Sequence, residues 1–125
     1  MKLIFGGAYQ GKLDFAKDTF DVKDEDIFFC DEASPLDYSK KVFVNLEKFV
    51  LKCVEEGLEA KEVLASDRVS LEDKIIIVDD ISQGVVPMDA KLRAWREMVG
   101  RTMLYLSKEA DSVYRVFCGI GQQIK

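Results

Sequence analysis

The stretch that decides the fold is Lys2-Leu3-Ile4-Phe5-Gly6-Gly7-Ala8-Tyr9-Gln10-Gly11-Lys12, in a chain of 125 residues. Its apolar part, residues 2–5, predicts a buried strand, and the glycines that follow predict a tight loop. Residues 12–20 then show the apolar spacing that is typical of a helix. A buried strand that leads through a glycine-rich loop into a helix is typical of an α/β protein.

The rest of the chain continues the alternation of strands and helices. Further strands are predicted at residues 26–30, 74–78 and 113–118. Helices are predicted at residues 37–56 and 59–65, and a third opens at the N-cap Asp89, with a core face of Leu92, Trp95, Val99, Met103, Leu106 and Ala110. Because right-handed crossovers join parallel strands, we expect a single domain, residues 1–125, with a parallel four-stranded sheet flanked by helices.

The charge balance and the residue types exclude several classes of function. Acidic residues outnumber basic ones by 23 to 18, a net charge of −5, which argues against nucleic-acid and anionic-membrane partners. The chain contains no histidine, so histidine-based catalysis and the commonest transition-metal sites are excluded. Phosphoryl transfer remains, because it depends mainly on positioning, lysine or arginine, carboxylates and Mg²⁺.

The cysteines and the apolar segments bear on the cellular compartment. Cys30, Cys53 and Cys118 are odd in number and widely spaced, which favours reduced thiols in core positions and a cytoplasmic protein. No signal peptide is expected, because residues 3–5 run at once into glycines, and no apolar stretch approaches the length of a membrane span.

The glycine-rich loop fits a phosphate-binding pattern. Residues 6–12 match the first seven positions of G-x-x-x-x-G-K-[ST], in which backbone amides surround a phosphate and the lysine reaches the outer phosphates. The eighth position normally carries a hydroxyl that binds Mg²⁺, but here it is Leu13. The alternative is an ordinary glycine-rich turn with a surface lysine. The predicted phosphate-binding residues are Gly6, Gly7, Ala8, Tyr9, Gln10, Gly11, Lys12 and Leu13.

A second candidate motif is the apolar strand that ends in acid, Ile75-Ile76-Ile77-Val78-Asp79-Asp80. In loop-type kinases such an acid holds Mg²⁺ or its water, although the pattern is common in α/β proteins. Asp79 and Asp80 are therefore candidate Mg²⁺ ligands, and Lys12 and Asp80 are the candidate catalytic residues. We expect the carboxyl edge of the sheet to gather residues 6–12, 31–32, 79–80 and 119–121.

The remaining charged residues are interpreted as surface. Arg93, Arg96 and Arg101 lie on or next to the last helix, where basic residues are usually solvated, although anion binding would suit them. The glutamates and lysines of residues 47–61 are predicted to form a solvated helix surface. Trp95 falls on an apolar helix face, so core packing is favoured over stacking on a substrate.

Two parts of the chain resemble one enzyme family. Residues 6–12 resemble the G-G-A-R-S-G-K-S loop of the bifunctional adenosylcobinamide kinase / adenosylcobinamide-phosphate guanylyltransferase family. Residues 79–87, Asp-Asp-Ile-Ser-Gln-Gly-Val-Val-Pro, resemble that family's N-E-V-G-x-G-I-V-P. Later resemblances, in order, are residues 93–96 to R-x-F-R, 100–101 to G-R, 110–114 to A-D-x-V-Y and 118–125 to A-G-x-x-x-x-x-K.

The resemblance implies a RecA-like P-loop fold, ATP or GTP as a substrate, a corrinoid as the other, and a homo-oligomer, a trimer in the family, in the late cytosolic steps of cobalamin assembly. The family's guanylyl transfer runs through a histidine, which this chain lacks. Tyr9, Gln10 and Leu13 depart from the family's loop. The predicted function is therefore a nucleotide-binding, cobinamide-kinase-like protein without guanylyl transfer. The alternative is a non-catalytic nucleotide-binding or scaffold protein, which Leu13 favours.

The apolar residues of the predicted helix 37–56 exceed what one helix face can hold. Val44, Leu51 and Val54 extend beyond the stripe that its other apolar residues form. This surplus predicts a subunit interface, since large exposed apolar patches are uncommon on monomers. The alternative is that residues 59–65 fold back and cover the surplus within one chain.

Overall fold

The computed structural model describes residues 1–82 and 84–125, which build one sheet with helices on both faces. The strands are β1 (Lys2–Gly6), β2 (Ile27–Phe29), β3 (Val42–Val44), β4 (Ile75–Asp79), β5 (Ser112–Phe117) and β6 (Ile120–Gln123). The helices are α1 (Lys12–Phe20), α2 (Leu46–Glu56), α3 (Ala60–Ser66), α4 (Arg68–Leu71) and α5 (Ala90–Glu109), and a 3₁₀ turn lies at Asp24–Asp26. The predicted α/β architecture, a largely parallel sheet flanked by helices, is confirmed.

The order of the strands places β1 and β4 side by side in the middle of the sheet. The full order is β2-β3-β4-β1-β5-β6, and every neighbouring pair is parallel except β5 and β6. The first four residues of β4 are all buried, because helices cover both faces of the sheet there. The register pairs Gly6 with Asp79, so the loop after β1 and the acid that ends β4 lie at the same edge.

The prediction of one helix over residues 37–56 is wrong in its first half. Residues 42–44 form β3, which is buried between β2 and β4, and α2 begins only at Leu46. Asn45 joins the two elements with a left-handed backbone at φ 61°. Val-Phe-Val favours a strand because its side chains are β-branched or aromatic. The sequence predicts a helix because Val42 and Leu46 are four residues apart, which matches the apolar spacing of a helix.

The prediction of four strands also lacks β6. Cys118 and Gly119 have positive φ angles of 52° and 77°, and they turn the chain so that β6 runs antiparallel to β5. The sequence of β6, Ile-Gly-Gln-Gln, is mostly exposed and has a single apolar side chain. A strand without an apolar pattern gives no periodic signal, which is why the prediction ended at β5.

The core consists of two apolar layers, one on each face of the sheet. On one face α1 packs Ala16 against a layer that includes Ile4 and Val116. On the other face α2, α3 and α5 pack a larger layer that includes Val50 and Leu64. Within residues 1–82 and 84–125, none of the helices is long and apolar enough to cross a membrane.

The predicted core face of α5 is confirmed in its second half and wrong at its start. Val99, Leu106 and Ala110 are buried, whereas Leu92 is 42% exposed. Asp89 caps the helix as predicted, since its carboxylate accepts a hydrogen bond from the Leu92 amide at 3.0 Å. The first turn of α5 therefore contributes little to the core.

The apolar surplus that predicted a subunit interface is accounted for within the chain. Val44 belongs to the sheet rather than to the helix, and Leu51 is buried. α3 packs against α2 and buries Ala60 and Leu64 completely. Residues 59–65 thus pack on this helix, as the alternative expected, while Val54, the third residue of the surplus, is partly buried against the larger core layer.

Candidate functional site

The loop between β1 and α1 requires glycine at two positions. A Cβ atom at Gly6 would overlap the backbone oxygen of Val116 on the neighbouring strand. Gly11 has a left-handed backbone at φ 87°, and a Cβ atom there would lie 3.2 Å from the Cα of Gly119. Close backbone packing at position 6 and a left-handed φ angle at position 11 therefore account for two of the glycines in the predicted phosphate loop. Of the other predicted loop residues, Gly7, Ala8 and Tyr9 are exposed, and Leu13 is half-buried against the α1-side core.

Lys12 is buried rather than solvated. It is 6% exposed, and its ammonium group lies 2.6 Å from Oδ1 of Asp79 and donates a hydrogen bond to the Gly7 carbonyl at 2.7 Å. The interpretation as a surface lysine is therefore wrong. The lysine instead joins the glycine loop to the end of β4, at the edge where a parallel sheet binds its ligands.

The two acids that end β4 have different partners. Asp79 is the acid that contacts Lys12. The Oδ1 atom of Asp80 accepts hydrogen bonds from the amide and the hydroxyl of Ser82, at 2.9 and 2.5 Å. The backbone amide of Asp80 donates to the Gly6 carbonyl at 2.9 Å, so both acids are fixed to the loop edge. The sequence placed both at this edge and named Asp80 with Lys12 as the candidate catalytic pair, whereas the acid that contacts Lys12 is Asp79.

Glu47 lies at the candidate site, although no sequence motif marks it. It was predicted to lie on a solvated helix surface, but it is 4% exposed, and its Oε1 accepts a hydrogen bond from the Asp79 amide at 2.9 Å. Burial raises the pKa of the Glu47 carboxyl, and the charge of Asp79 raises it as well. The correction follows from β3: because α2 begins at Leu46, Glu47 lies in its first turn, at the ligand edge of the sheet.

A cavity of about 200 Å³ opens at this edge. Its walls include Gln10, Lys12 and Leu13 from the loop and α1, Asn45 from the end of β3, and Asp79 from the end of β4. Two larger cavities, of about 350 and 410 Å³, lie on the α5 side among Arg68, Tyr105 and their neighbours, and one of about 300 Å³ lies at β5 and β6. The smaller cavity is lined by residues 9–13 of the predicted phosphate-binding loop and by Asp79, but not by Gly6, Gly7, Ala8 or Asp80.

The turn between β5 and β6 supports the loop from its other side. The side-chain oxygen of Gln10 accepts a hydrogen bond from the Cys118 amide, and its carbonyl accepts one from the Gly119 amide, both at 2.7 Å. The predicted meeting of the loop with residues 119–121 is therefore confirmed. Cys118 is exposed, which contradicts its predicted core position, whereas Cys30 and Cys53 are buried as predicted.

Residues 31–32 do not join the site. β2 stands at the edge of the sheet, and β3 and β4 separate it from β1. The Asp31 carboxylate accepts hydrogen bonds from the amides of Ala33 and Ser34, which lower its pKa. The prediction failed because it lacked β3, the strand that moves this acidic turn away from the loop.

The arginines of α5 bind the protein itself. Arg96 donates to the carbonyls of Ser82 and Gly84 at 2.9 and 3.0 Å. Arg93 donates to the carbonyls of Pro87 and Met88, and Arg101 binds Oε1 of Glu59 at 3.0 Å. These contacts hold the segment before α5 and the start of α3. The three arginines are half-buried and have partners within the chain.

Comparison with known proteins identifies the family. A family model described as cobinamide kinase / cobinamide phosphate guanyltransferase matches residues 42–124, which is more than half of the chain. The chain belongs to this family. The match covers β3 to β6, including Asp79, Asp80 and Glu47, whereas the loop of residues 6–12 lies before it. No curated protein matches the chain.

The sequence predicts Mg²⁺ as the metal of this cobinamide kinase / guanyltransferase family member. The oxygen ligands at the site suit Mg²⁺ only when a bound nucleotide supplies the others. Among residues 1–82 and 84–125, no group of three or more His, Cys, Asp or Glu side chains forms a metal site. The acidic residues that line the cavity are Asp14 and Asp79, Asp80 follows Asp79 directly, and Leu13 adds no oxygen. One or two carboxylates are typical of Mg²⁺ sites in which nucleotide phosphates and water supply the remaining ligands.

The three thiols should differ strongly in reactivity. Burial raises the pKa of Cys30 to about 12 and that of Cys53 to about 11, so both stay protonated near pH 8, whereas Cys118 is exposed. Brief iodoacetamide treatment followed by peptide mass spectrometry should label Cys118 first. Unfolded protein is the control and should be labelled at all three positions. Equally fast labelling of Cys30 in the folded protein would contradict the described core.

Proposed function

We propose that the chain binds ATP or GTP through residues 6–13 and acts as a cobinamide-kinase-like protein of cobalamin biosynthesis. The observation that carries the proposal is the buried ammonium of Lys12 at a glycine loop between a central strand and a helix, beside Asp79. Family membership supports a corrinoid as the phosphoryl acceptor. The same proposal includes a cytoplasmic location and the trimeric assembly that the resemblance implies.

The loop has donors for a phosphate group. A lysine ammonium carries three N–H donors, and Asp79 and Gly7 take two of them, which leaves one for a phosphate oxygen. The first amides of α1 have no acceptor within the helix, and the helix dipole favours an anion at this end. A phosphate at the start of α1 would therefore meet both a cation and backbone donors.

The charges around Lys12 favour a nucleotide that carries Mg²⁺. The single ammonium faces Asp79 directly, and the Glu47 carboxyl binds the backbone of the same residue. A bare polyphosphate would bring further negative charge to this group. Asp79 or Asp80 would hold the Mg²⁺ directly or through water, and the ion would supply charge stabilisation to the phosphoryl group.

Transfer of a guanylyl group is not part of the proposed function. In the family this step runs through a histidine, and none of the 125 residues is histidine. Lys12 and Asp80 remain the candidate catalytic residues for phosphoryl transfer, which requires no histidine. The chain is therefore proposed to keep the nucleotide site and the kinase reaction only.

A non-catalytic nucleotide-binding or scaffold protein is the second candidate, and Leu13 favours it. The Leu13 side chain is half-buried against the α1-side core and offers no oxygen to a metal. A protein of this kind would bind nucleotide at the same loop without transferring phosphate. The choice between the two candidates therefore depends on turnover rather than on binding.

A transfer assay separates the two candidates. The chain is incubated with γ-labelled ATP or GTP, Mg²⁺ and adenosylcobinamide, with Lys12→Ala as the control. The kinase proposal expects label on the corrinoid that disappears in the variant. Nucleotide binding without label on the corrinoid would favour the non-catalytic protein. A parallel reaction with α-labelled GTP detects guanylyl transfer, since the γ-phosphate leaves with the pyrophosphate in that reaction, and α-label on the corrinoid would contradict the proposal.

Replacing Leu13 with serine should make nucleotide binding more dependent on Mg²⁺. The hydroxyl would stand at the position where the phosphate-loop pattern has its metal ligand. The loss of packing should cost about 1–3 kcal/mol of stability, because Leu13 is only half-buried. The measurement is the nucleotide Kd with and without Mg²⁺, and Leu13→Ala is the matched control. Identical metal dependence in the serine and alanine variants would refute the role of this position.

A further inference from the structure

Glu47 is a buried carboxylate whose side chain is bonded to the backbone of the residue that contacts Lys12. We propose that Glu47 is a positioning residue of the nucleotide site, which holds the end of β4 so that the Asp79 carboxylate faces the Lys12 ammonium. This inference rests on the proposed nucleotide-binding function. It assigns a role at the site to a helix residue that the phosphate-loop pattern does not contain.

Three consecutive contacts connect α2 to the glycine loop. Oε1 of Glu47 accepts a hydrogen bond from the Asp79 amide at 2.9 Å. Oδ1 of Asp79 lies 2.6 Å from the Lys12 ammonium, which donates to the Gly7 carbonyl at 2.7 Å. A change in the position of Glu47 therefore reaches the lysine through one residue.

Glu47 is itself fixed from a second helix. Its backbone carbonyl accepts a hydrogen bond from Nε1 of Trp95 at 2.7 Å. Trp95 is half-buried on α5 and packs against the larger core layer. The same helix carries Arg96, which holds the carbonyls of Ser82 and Gly84 in the turn after Asp80. α5 thus supports both the Glu47 backbone and the turn that follows β4.

The position calls for a hydrogen-bond acceptor rather than an apolar side chain. An apolar residue at 47 would leave the Asp79 amide without this partner, and an unpaired polar group away from water is costly. The orientation of the Asp79 carboxylate depends on the backbone that this bond fixes. A glutamine at 47 keeps a side-chain oxygen that can accept the same bond, whereas leucine has a similar size and no acceptor.

The test compares nucleotide affinity with thermal stability in four variants. ATP and GTP, each with Mg²⁺, are titrated calorimetrically into Glu47→Leu, Glu47→Gln, Trp95→Phe and Val50→Ala, and Tm is measured for each. Val50 is buried on the same helix and lies outside the three contacts, so Val50→Ala is the control for lost stability alone. Trp95→Phe keeps an aromatic ring but removes the hydrogen-bond donor to the Glu47 carbonyl. This variant replaces Glu47→Leu in the test if the leucine variant does not fold.

We expect Glu47→Leu to weaken nucleotide binding about tenfold and Trp95→Phe about threefold, while Glu47→Gln stays within about twofold of the unmodified chain. Val50→Ala should lower Tm without weakening the binding. Unchanged affinity in Glu47→Leu, or in Trp95→Phe if the leucine variant is unfolded, overturns the inference, as does equal weakening by glutamine and leucine.

The Lys12→Ala variant separates this inference from the proposed function. If binding is lost in Lys12→Ala and unchanged in Glu47→Leu, only the positioning role fails. If binding survives Lys12→Ala unchanged, the loop is not the nucleotide site, and both the proposed function and the role of Glu47 fail.

Discussion

Replacing Lys12 with alanine should weaken the binding of ATP and GTP about ten- to a hundredfold. A charge-assisted hydrogen bond between an ammonium and a phosphate oxygen contributes roughly 1.5–3 kcal/mol, and that contact would be lost. The variant also leaves Asp79 without its cation, so the remaining carboxylate would repel the incoming phosphates. Both effects act in the same direction, and calorimetric titration measures their sum.

Lys17→Ala is the matched control for Lys12→Ala. Lys17 lies on the same helix and pairs with Asp24 in an exposed ion pair at 2.8 Å, away from the glycine loop. Its removal changes the net charge by the same amount and should leave the nucleotide Kd nearly unchanged. Equal losses of affinity in the two variants would mean that general charge, rather than the loop lysine, attracts the nucleotide.

Replacing Gly6 with alanine should lower the free energy of unfolding by about 2–4 kcal/mol. The added methyl group would overlap the backbone oxygen of Val116, which belongs to the adjacent strand β5. A backbone atom in the middle of a sheet cannot rotate away as a flexible side chain can. The overlap must therefore be relieved by separating β1 from β5, which disturbs the sheet next to the glycine loop.

Gly7→Ala is the control that separates two possible causes of the lower stability. One is the contact between a Cβ atom at position 6 and the Val116 backbone, and the other is the loss of any glycine in the loop. A Cβ atom at Gly7 would lie 3.7 Å from the nearest atom, Cγ of Gln10, which is ordinary contact. Its free energy of unfolding should change by no more than about 0.5 kcal/mol in urea titrations. Similar unfolding midpoints for the two variants would contradict the described packing of β1 against β5.

The elements with strong local patterns could be predicted from the sequence. The run of isoleucines in β4 and the apolar start of β1 are buried on both faces, and such strands are apolar without interruption. α1 occupies the predicted residues 12–20, because the glycine loop before it marks its start. Each of these signals lies within a few neighbouring residues, so no knowledge of distant contacts is needed.

The elements that depend on distant partners could not be predicted in this way. β3 has only three residues, and its identity comes from pairing with β2 and β4, while its spacing continues into α2. Glu47 is an equally clear case, since a glutamate on a helix is normally solvated. Its burial depends on the Asp79 amide, which is far away in sequence and becomes its neighbour only once β3 is in place.

The choice between two adjacent acids also lies beyond sequence reasoning. Side chains of consecutive strand residues point to opposite faces, so Asp79 and Asp80 cannot both face the same lysine from a regular strand. β4 ends at Asp79, whose carboxylate lies 2.6 Å from the Lys12 ammonium, while Asp80 turns to Ser82. The sequence could therefore place the acidic pair at the correct edge without assigning the contact to Lys12.

Calorimetric titration of the unmodified chain with ATP and with GTP, each with and without Mg²⁺, tests the nucleotide site most directly. We expect saturable binding of at least one nucleotide, with an affinity that rises in the presence of Mg²⁺, because the Lys12 ammonium already faces the Asp79 carboxylate. The absence of binding by either nucleotide, with and without Mg²⁺ and with equilibrium dialysis in agreement, would contradict it.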